Sequence, residues 1–184
     1  MINGWLWIAW AISWIVSALF TNRTRWSESR FSRLAYSIPF GFGFYLIFHS
    51  HRPEQSLIFN RLWESSATSW VGNALTVAGF TFAWWARLHL GRYWSGTITL
   101  KEGHRLIRTG PYRLARHPIY TGFLSAVLGS AIVAPRGDAL IGFVLIVIAI
   151  LMKMRREEAL MTQEFPDEYR QFQNEVPALI PFVY

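Results

Sequence analysis

The chain has 184 residues, no cysteine, ten tryptophans and a formal charge of +7. Disulfides, thiolate catalysis and cysteine-ligated metals are thereby excluded. With 52% hydrophobic and 16% charged residues, it is too apolar for an ordinary soluble domain and points to a bilayer.

The positive charge does not read as a nucleic-acid footprint, because the basic residues sit in blocks between apolar runs rather than along a stripe. Residues 4–20 form the first run, apolar apart from Ser13 and Ser17, with Trp7, Trp10 and Trp14 at helical spacing. It is slightly short for a span of ~20 residues, which tilt accommodates. No basic stretch precedes it, so it reads as a retained helix rather than a signal peptide. A basic link with Arg23, Arg25, Arg30 and Arg33 follows. Residues 34–48 are the second run, where Pro39, Gly41 and Gly43 predict a kinked or loosened helix. Residues 49–66 are a polar loop, and 70–86 the third run, with Trp70 at one end and Trp84 and Trp85 at the other.

Residues 87–117 are a long polar segment punctuated by Gly91, Gly96, Gly103 and Gly110. Within it, 97–100 and 104–107 flank a Lys-Glu-Gly turn and predict a small hairpin. Residues 118–134 are the fourth apolar run and 139–152 the fifth, joined by a Pro-Arg-Gly-Asp turn at 135–138. So short a joint predicts an antiparallel helical hairpin. Residues 155–172 read as an amphipathic surface helix, with Leu160, Met161 and Phe165 near one side. The tail beyond it, with Pro177 and Pro181, is irregular and apolar. The fold expected is all-α: one polytopic integral membrane domain over 1–184, of about five spans. Residues 1–86 supply three spans, and 87–184 the inner segment, hairpin and C-terminal helix. With five spans, fifteen of the eighteen Lys and Arg fall on one side and only Arg52, Arg61 and Arg136 on the other. The positive-inside rule then puts the N-terminus outside and the polar segment and C-terminus in the cytosol.

The stretch 110–122, Gly-Pro-Tyr-Arg-Leu-Ala-Arg-His-Pro-Ile-Tyr-Thr-Gly, organises the rest. Pro118 suits the first position of a helix. Arg116 and His117 thus stand at a helix N-terminus, whose free N–H groups and dipole favour an anion. The hairpin brings Glu157 and Glu158 back beside them. Two plain readings stand against a ligand site: Arg116 as a headgroup anchor, and the glutamates as a solvated, self-paired charge run. Tyr112 and Tyr120 have a plain reading too, as interface aromatics. His49 and His51 read as loop residues, and His89 and His104 lie in the inner segment. No set of His and carboxylates has metal-ligand spacing, so no metal is expected.

From about residue 87 onward the chain resembles the isoprenylcysteine carboxyl methyltransferase and phospholipid methyltransferase group of membrane enzymes. The resemblance is carried by Leu-Gly-Arg-Tyr-Trp-Ser at 90–95, Gly-His-Arg-Leu-Ile at 103–107, Gly-Pro-Tyr-Arg at 110–113 and, most specifically, Arg-His-Pro-Ile-Tyr-Thr-Gly at 116–122. Glu-Glu-Ala-Leu at 157–160, Phe-Pro-Asp-Glu-Tyr at 165–169 and the Pro177 and Pro181 tail complete it. Pro166 stands where the group usually has Gly, and Phe172 where it often has Tyr. The resemblance implies S-adenosylmethionine as methyl donor and a lipid-like acceptor taken from the bilayer, most like a prenyl-thioether carboxylate. Membrane lipids are then its other partners, and no nucleic acid is involved. It implies cofactor contacts from His104, Leu106, Gly110, Tyr112, Arg116, His117, Pro118, Tyr120, Gly122, Glu157 and Glu158, with Arg116, Glu157 and Glu158 closest to the chemistry. The donor's carboxylate suits Arg116 and His117, its ammonium or ribose suits a glutamate, and its sulfonium suits an aromatic face such as Tyr120 or Trp94. One of the two glutamates should face the pocket and the other water or a basic residue, because neighbours on a helix point about 100° apart. Two rival readings are an NADPH-dependent reductase of the sterol reductase type, which shares a related Arg-His-Pro segment, and a non-catalytic membrane interaction protein.

Overall fold

A computed structural model describes residues 2–49, 65–134 and 136–180. The polar loop expected over 49–66, with His51, Arg52 and Arg61, falls almost wholly outside the described residues, as do Pro135 and Pro181. The helices are α1 (Ile2–Ala18), α2 (Arg30–His49), α3 (Ser66–Leu90), α4 (Pro118–Val133), α5 (Gly137–Glu164) and α6 (Pro166–Glu175). Each of the five apolar runs falls mainly in its own helix, although α1 stops two residues before the end of the first run and α4 one before the end of the fourth. Among the described residues α5 alone is long and apolar enough to cross a bilayer, while α1 and α4 are apolar over 17 and 16 residues.

Glycines set the packing. Gly72 and Gly79 on α3 face Gly129 and Gly122 on α4, and Gly43 on α2 faces Gly142 on α5. A Cβ at Gly79 would lie 2.4 Å from the Gly122 carbonyl oxygen, so these backbones touch directly. Small residues at such contacts let two helix backbones approach closely. Trp7 of α1 fills the centre. Its ring meets Phe44, Phe80 and Phe123 edge-on, and its indole N–H donates to Ser130 Oγ at 2.8 Å.

Two expectations need correction. No hairpin forms within 97–107. Thr99–Lys101 is a strand, β2, but its antiparallel partner is β1, Thr24–Ser27, from the link between α1 and α2. The turn at Gly103 is closed by the His104 N–H donating to the Lys101 carbonyl, yet the chain after it runs irregularly. The basic link offers β2 the nearer extended edge: Glu28 N–H donates to the Ile98 carbonyl and Glu102 N–H to the Arg23 carbonyl.

Nor is 155–172 one surface helix. The helix of the fifth run continues unbroken to Glu164, breaks at Phe165 (φ −129°) and restarts as α6. Proline disfavours helix in the residue before it and begins helices well, so Pro166 makes the corner. α6 then lays Tyr169 and Phe172 against Ala86, Leu100, Tyr112 and Met161.

The glycine contacts carry a stability prediction. Gly79→Ala should destabilise by about 1–3 kcal/mol through overpacking, whereas Gly41→Ala, which meets open space, should not. Thermal unfolding in detergent separates them, and equal midpoints would refute a direct backbone contact.

Candidate active site

The helices, the segment between α3 and α4 and α6 surround a half-open cavity of about 280 Å³. Its local scaffold follows from the sequence around the Arg-His-Pro stretch. Gly110 adopts φ +59° and presents its bare Cα to the His89 ring, which a Cβ would strike at 2.6 Å. A short 3-10 turn, Gly110–Arg113, then buries Tyr112, and Pro118 opens α4 at its first turn. The tail holds this mouth from outside: Arg116 N–H donates to the Pro177 carbonyl, His117 N–H to Ala178 and the Thr121 hydroxyl to Leu179.

The two glutamates divide the work. Glu158 turns to the Arg-His pair, accepting from Arg116 Nε at 2.9 Å and lying 3.0 Å from His117 Nε2 and 3.3 Å from Gln173 Nε2. Arg116 Nη1 donates to the Gln173 and Val176 carbonyls at 3.1 and 2.5 Å. Glu157 points into the cavity and accepts from the Tyr120 hydroxyl at 2.6 Å. The Tyr120 ring stacks on His117, their centroids 5.4 Å apart. These contacts between the start of α4 and the end of α5 also close the expected helical hairpin.

Of the residues singled out from sequence, His104, Leu106, Tyr112, Arg116, His117, Pro118, Tyr120 and Glu157 line the cavity. Glu158, Gly110 and Gly122 do not: Glu158 braces Arg116, Gly110 shapes the turn, and Gly122 packs on Gly79 and Ala83 of α3. The wall also includes residues the sequence reading missed. Trp10 and Trp14 come from α1, Phe40 from α2, Lys153 from α5, and Tyr169 and Phe172 from α6. Helical spacing of Trp10 and Trp14 marked one face of α1, but nothing local says that face meets the inner segment.

Burial tunes the groups outside the apolar runs. It pushes the Tyr112 hydroxyl far above the ordinary phenol range, with the Glu157 charge adding to it. Tyr169 rises for the same reason, helped by Glu158 and Glu157. Burial also lowers the pKa of His104, favouring the neutral imidazole, and its Nδ1 is a buried atom without a hydrogen-bond partner. Both tyrosines thus stay protonated donors. Among the described residues no cluster of three or more metal-ligating side chains occurs.

The fold is mostly helical, and its cavity carries ionisable and aromatic side chains in one wall. The sequence profile of the isoprenylcysteine carboxyl methyltransferase (ICMT) family matches residues 72–163. A probable protein-S-isoprenylcysteine O-methyltransferase of Oryza sativa is 30% identical over 132 residues, 70% of this chain and 69% of the relative. The protein-S-isoprenylcysteine O-methyltransferase of Saccharomyces cerevisiae is 32% identical over 87 residues, 46% of this chain and 36% of that protein. A cobalt-zinc-cadmium resistance protein, CzcN, of Cupriavidus metallidurans is 28% identical over 131 residues, 68% and 57% of the two chains. The chain belongs to the isoprenylcysteine carboxyl methyltransferase family and is a methyltransferase.

The division between the glutamates predicts different stabilities. Glu158→Gln weakens charged hydrogen bonds at a site where Arg116 is only 11% exposed, an expected loss of about 1.5–3 kcal/mol. Glu157→Gln still accepts from Tyr120 and should lose less than about 1 kcal/mol. Ligand-free thermal unfolding of the two variants tests this, and a greater loss in Glu157→Gln would reverse the assignment.

Proposed function

We propose that this protein transfers a methyl group from S-adenosylmethionine to the carboxylate of a prenyl-thioether acceptor drawn from a bilayer. One observation carries the reading: a single cavity joins an ionisable wall, with Arg116, His117, His104 and Glu157, to an apolar wall of Trp10, Trp14, Phe40, Phe123 and Ile150. The first suits a zwitterionic, ribose-bearing donor, and the second a lipid tail.

The residues present fit such a donor. His104 Nδ1 is a buried polar atom awaiting a partner at the cavity wall. Glu157 offers a carboxylate for an ammonium or ribose hydroxyl. Arg116 keeps Nη2 outside the bonds that clamp Nε and Nη1, and a guanidinium edge suits a carboxylate. Tyr120 brings aromatic electron density to the same wall, which suits the donor's sulfonium. S-adenosylmethionine supplies a methyl group already activated on that sulfonium. The chain is left to bind, orient and exclude water. A carboxylate acceptor attacks without losing a proton, so no general base is required, which agrees with Tyr112 and Tyr169 being held protonated. The methyltransferase names of the relatives favour this over an NADPH-dependent reductase.

A multi-pass arrangement supports lipid-borne delivery. Ile8, Ile12 and Ile15 on α1, Phe42 on α2, Val77 on α3 and Val144 and Ile148 on α5 are large apolar side chains facing outward. Such a surface belongs in lipid rather than water. The charge asymmetry supports a cavity that faces the cytosol. Reporter fusions after α1 and after α6 should report a cytosolic site, and an external readout after α6 would overturn that orientation.

Purified protein in detergent should bind S-adenosylhomocysteine, not NADPH, and methylate an S-prenylcysteine. Binding of NADPH alone would overturn the reading. Glu157→Gln should weaken S-adenosylhomocysteine roughly tenfold to a hundredfold, the worth of a charged hydrogen bond. A parent-like titration would remove Glu157 from the donor site.

A further inference from the structure

We propose that Arg87 is a positioning residue for the acceptor end of the cavity, fixing the Trp94 ring edge-on against Trp14. This rests on the reading that the apolar wall receives the acceptor's lipid tail.

Arg87 is an unusual buried cation. It is 4% exposed, at the end of α3, and among the described residues no carboxylate pairs with it. A buried guanidinium is costly unless its donors are met. Here backbone carbonyls meet Nη1 and Nη2 and an aromatic face covers the guanidinium, while Nε has no hydrogen-bond partner among the described residues. Nη2 donates to the Ser17 carbonyl at 2.6 Å and Nη1 to the Gly91 carbonyl at 2.7 Å. Ser17 lies in the last turn of α1, and Gly91 follows α3, so one planar fork spans the negative ends of two helices. The guanidinium carbon sits 4.7 Å from the Trp94 ring centre. Cation–π attraction of this kind gains strength where water is excluded.

The contact is directed at the cavity. Trp94 and Trp14 both line it, their rings edge-to-face at 5.5 Å, and Trp14 stacks in turn on Trp10 at 4.6 Å. Arg87 itself is absent from the lining, so it acts through Trp94. It also binds the Gly91 carbonyl, which accepts from the Trp94 N–H and so sets that residue's backbone. The first and third apolar helices thereby meet the inner segment at a single side chain. Lysine cannot reproduce this, because one ammonium lacks the fork and the flat face.

The test uses the full-length protein in detergent, labelled with 5-fluorotryptophan. Trp94→Phe and Trp14→Phe assign two fluorine resonances, and Trp70, at the opposite end of α3, serves as reference. Arg87→Lys should move the Trp94 and Trp14 resonances and leave Trp70 in place. It should raise the KM for an S-prenylcysteine about tenfold while the KM for S-adenosylmethionine stays within about twofold. Trp94→Leu should do the same, and adding Arg87→Lys to it should change the acceptor KM by less than about twofold, the non-additivity of residues acting as one unit. Unmoved Trp94 and Trp14 resonances overturn the proposal, as do effects that multiply in the double variant or a fall in kcat with both KM values unchanged. A parent enzyme that ignores S-prenylcysteine defeats the acceptor reading instead, and the fluorine spectra still decide the positioning.

Discussion

The ion pair between Glu158 and Arg116 is the constraint on which the site depends. It joins α5, six residues before its end, to the residues leading into α4, and through Arg116 Nη1 it also ties down the Gln173 and Val176 carbonyls. Because a helix advances about 100° per residue, turning Glu158 toward Arg116 obliges Glu157 to face the cavity. The orientation of the ligand-facing carboxylate is thus set by its neighbour's partner. Arg116 and Glu158 each offset part of the desolvation cost of the other, and the tail carbonyls accept from Arg116 Nη1.

The glycine pairs do the corresponding work in the helices. Contacts at Gly79 with Gly122, Gly72 with Gly129 and Gly43 with Gly142 bring α3 onto α4 and α2 onto α5. Close helix axes leave little room along the bundle, so open space collects where the helices end and the inner segment folds over them. The cavity is there for that reason, and its lining mixes helix ends, loop and α6.

Much of this was legible in the sequence. Five apolar runs gave five helices, each bounded by polar or proline-bearing links. Pro118 marked the start of α4, and the short turn at 135–138 predicted the return of α5. The motif residues Arg116, His117 and Tyr120 do meet the glutamates. What was hidden is long-range. The β1–β2 pairing joins residues about seventy-five positions apart, and nothing in the local pattern of 97–107 names that partner. The continuation of α5 to Glu164 was missed because a change in polarity at Lys153 was read as a change of element. A helix needs no uniform polarity, only uninterrupted backbone bonds, and the interruption comes at Phe165 and Pro166. Glu157 and Glu158 were indistinguishable until the partner of one was known. The matched family region begins at residue 72, yet Trp10, Trp14 and Phe40 from the preceding helices line the cavity.

The fastening of residues 176–179 across the mouth of α4 bears on biosynthesis. The ribosome delivers α1 to α5 first, and the Arg-His pair emerges some sixty residues before the backbone carbonyls that clamp it. During that interval Arg116 has Glu158 at best, and before α5 emerges it has neither. Until residues 176–179 are made, the backbone donors of Arg116 and His117 and the hydroxyl of Thr121 lack the carbonyls they meet in the finished fold. The last-made residues therefore fasten a corner whose own side chains were made much earlier.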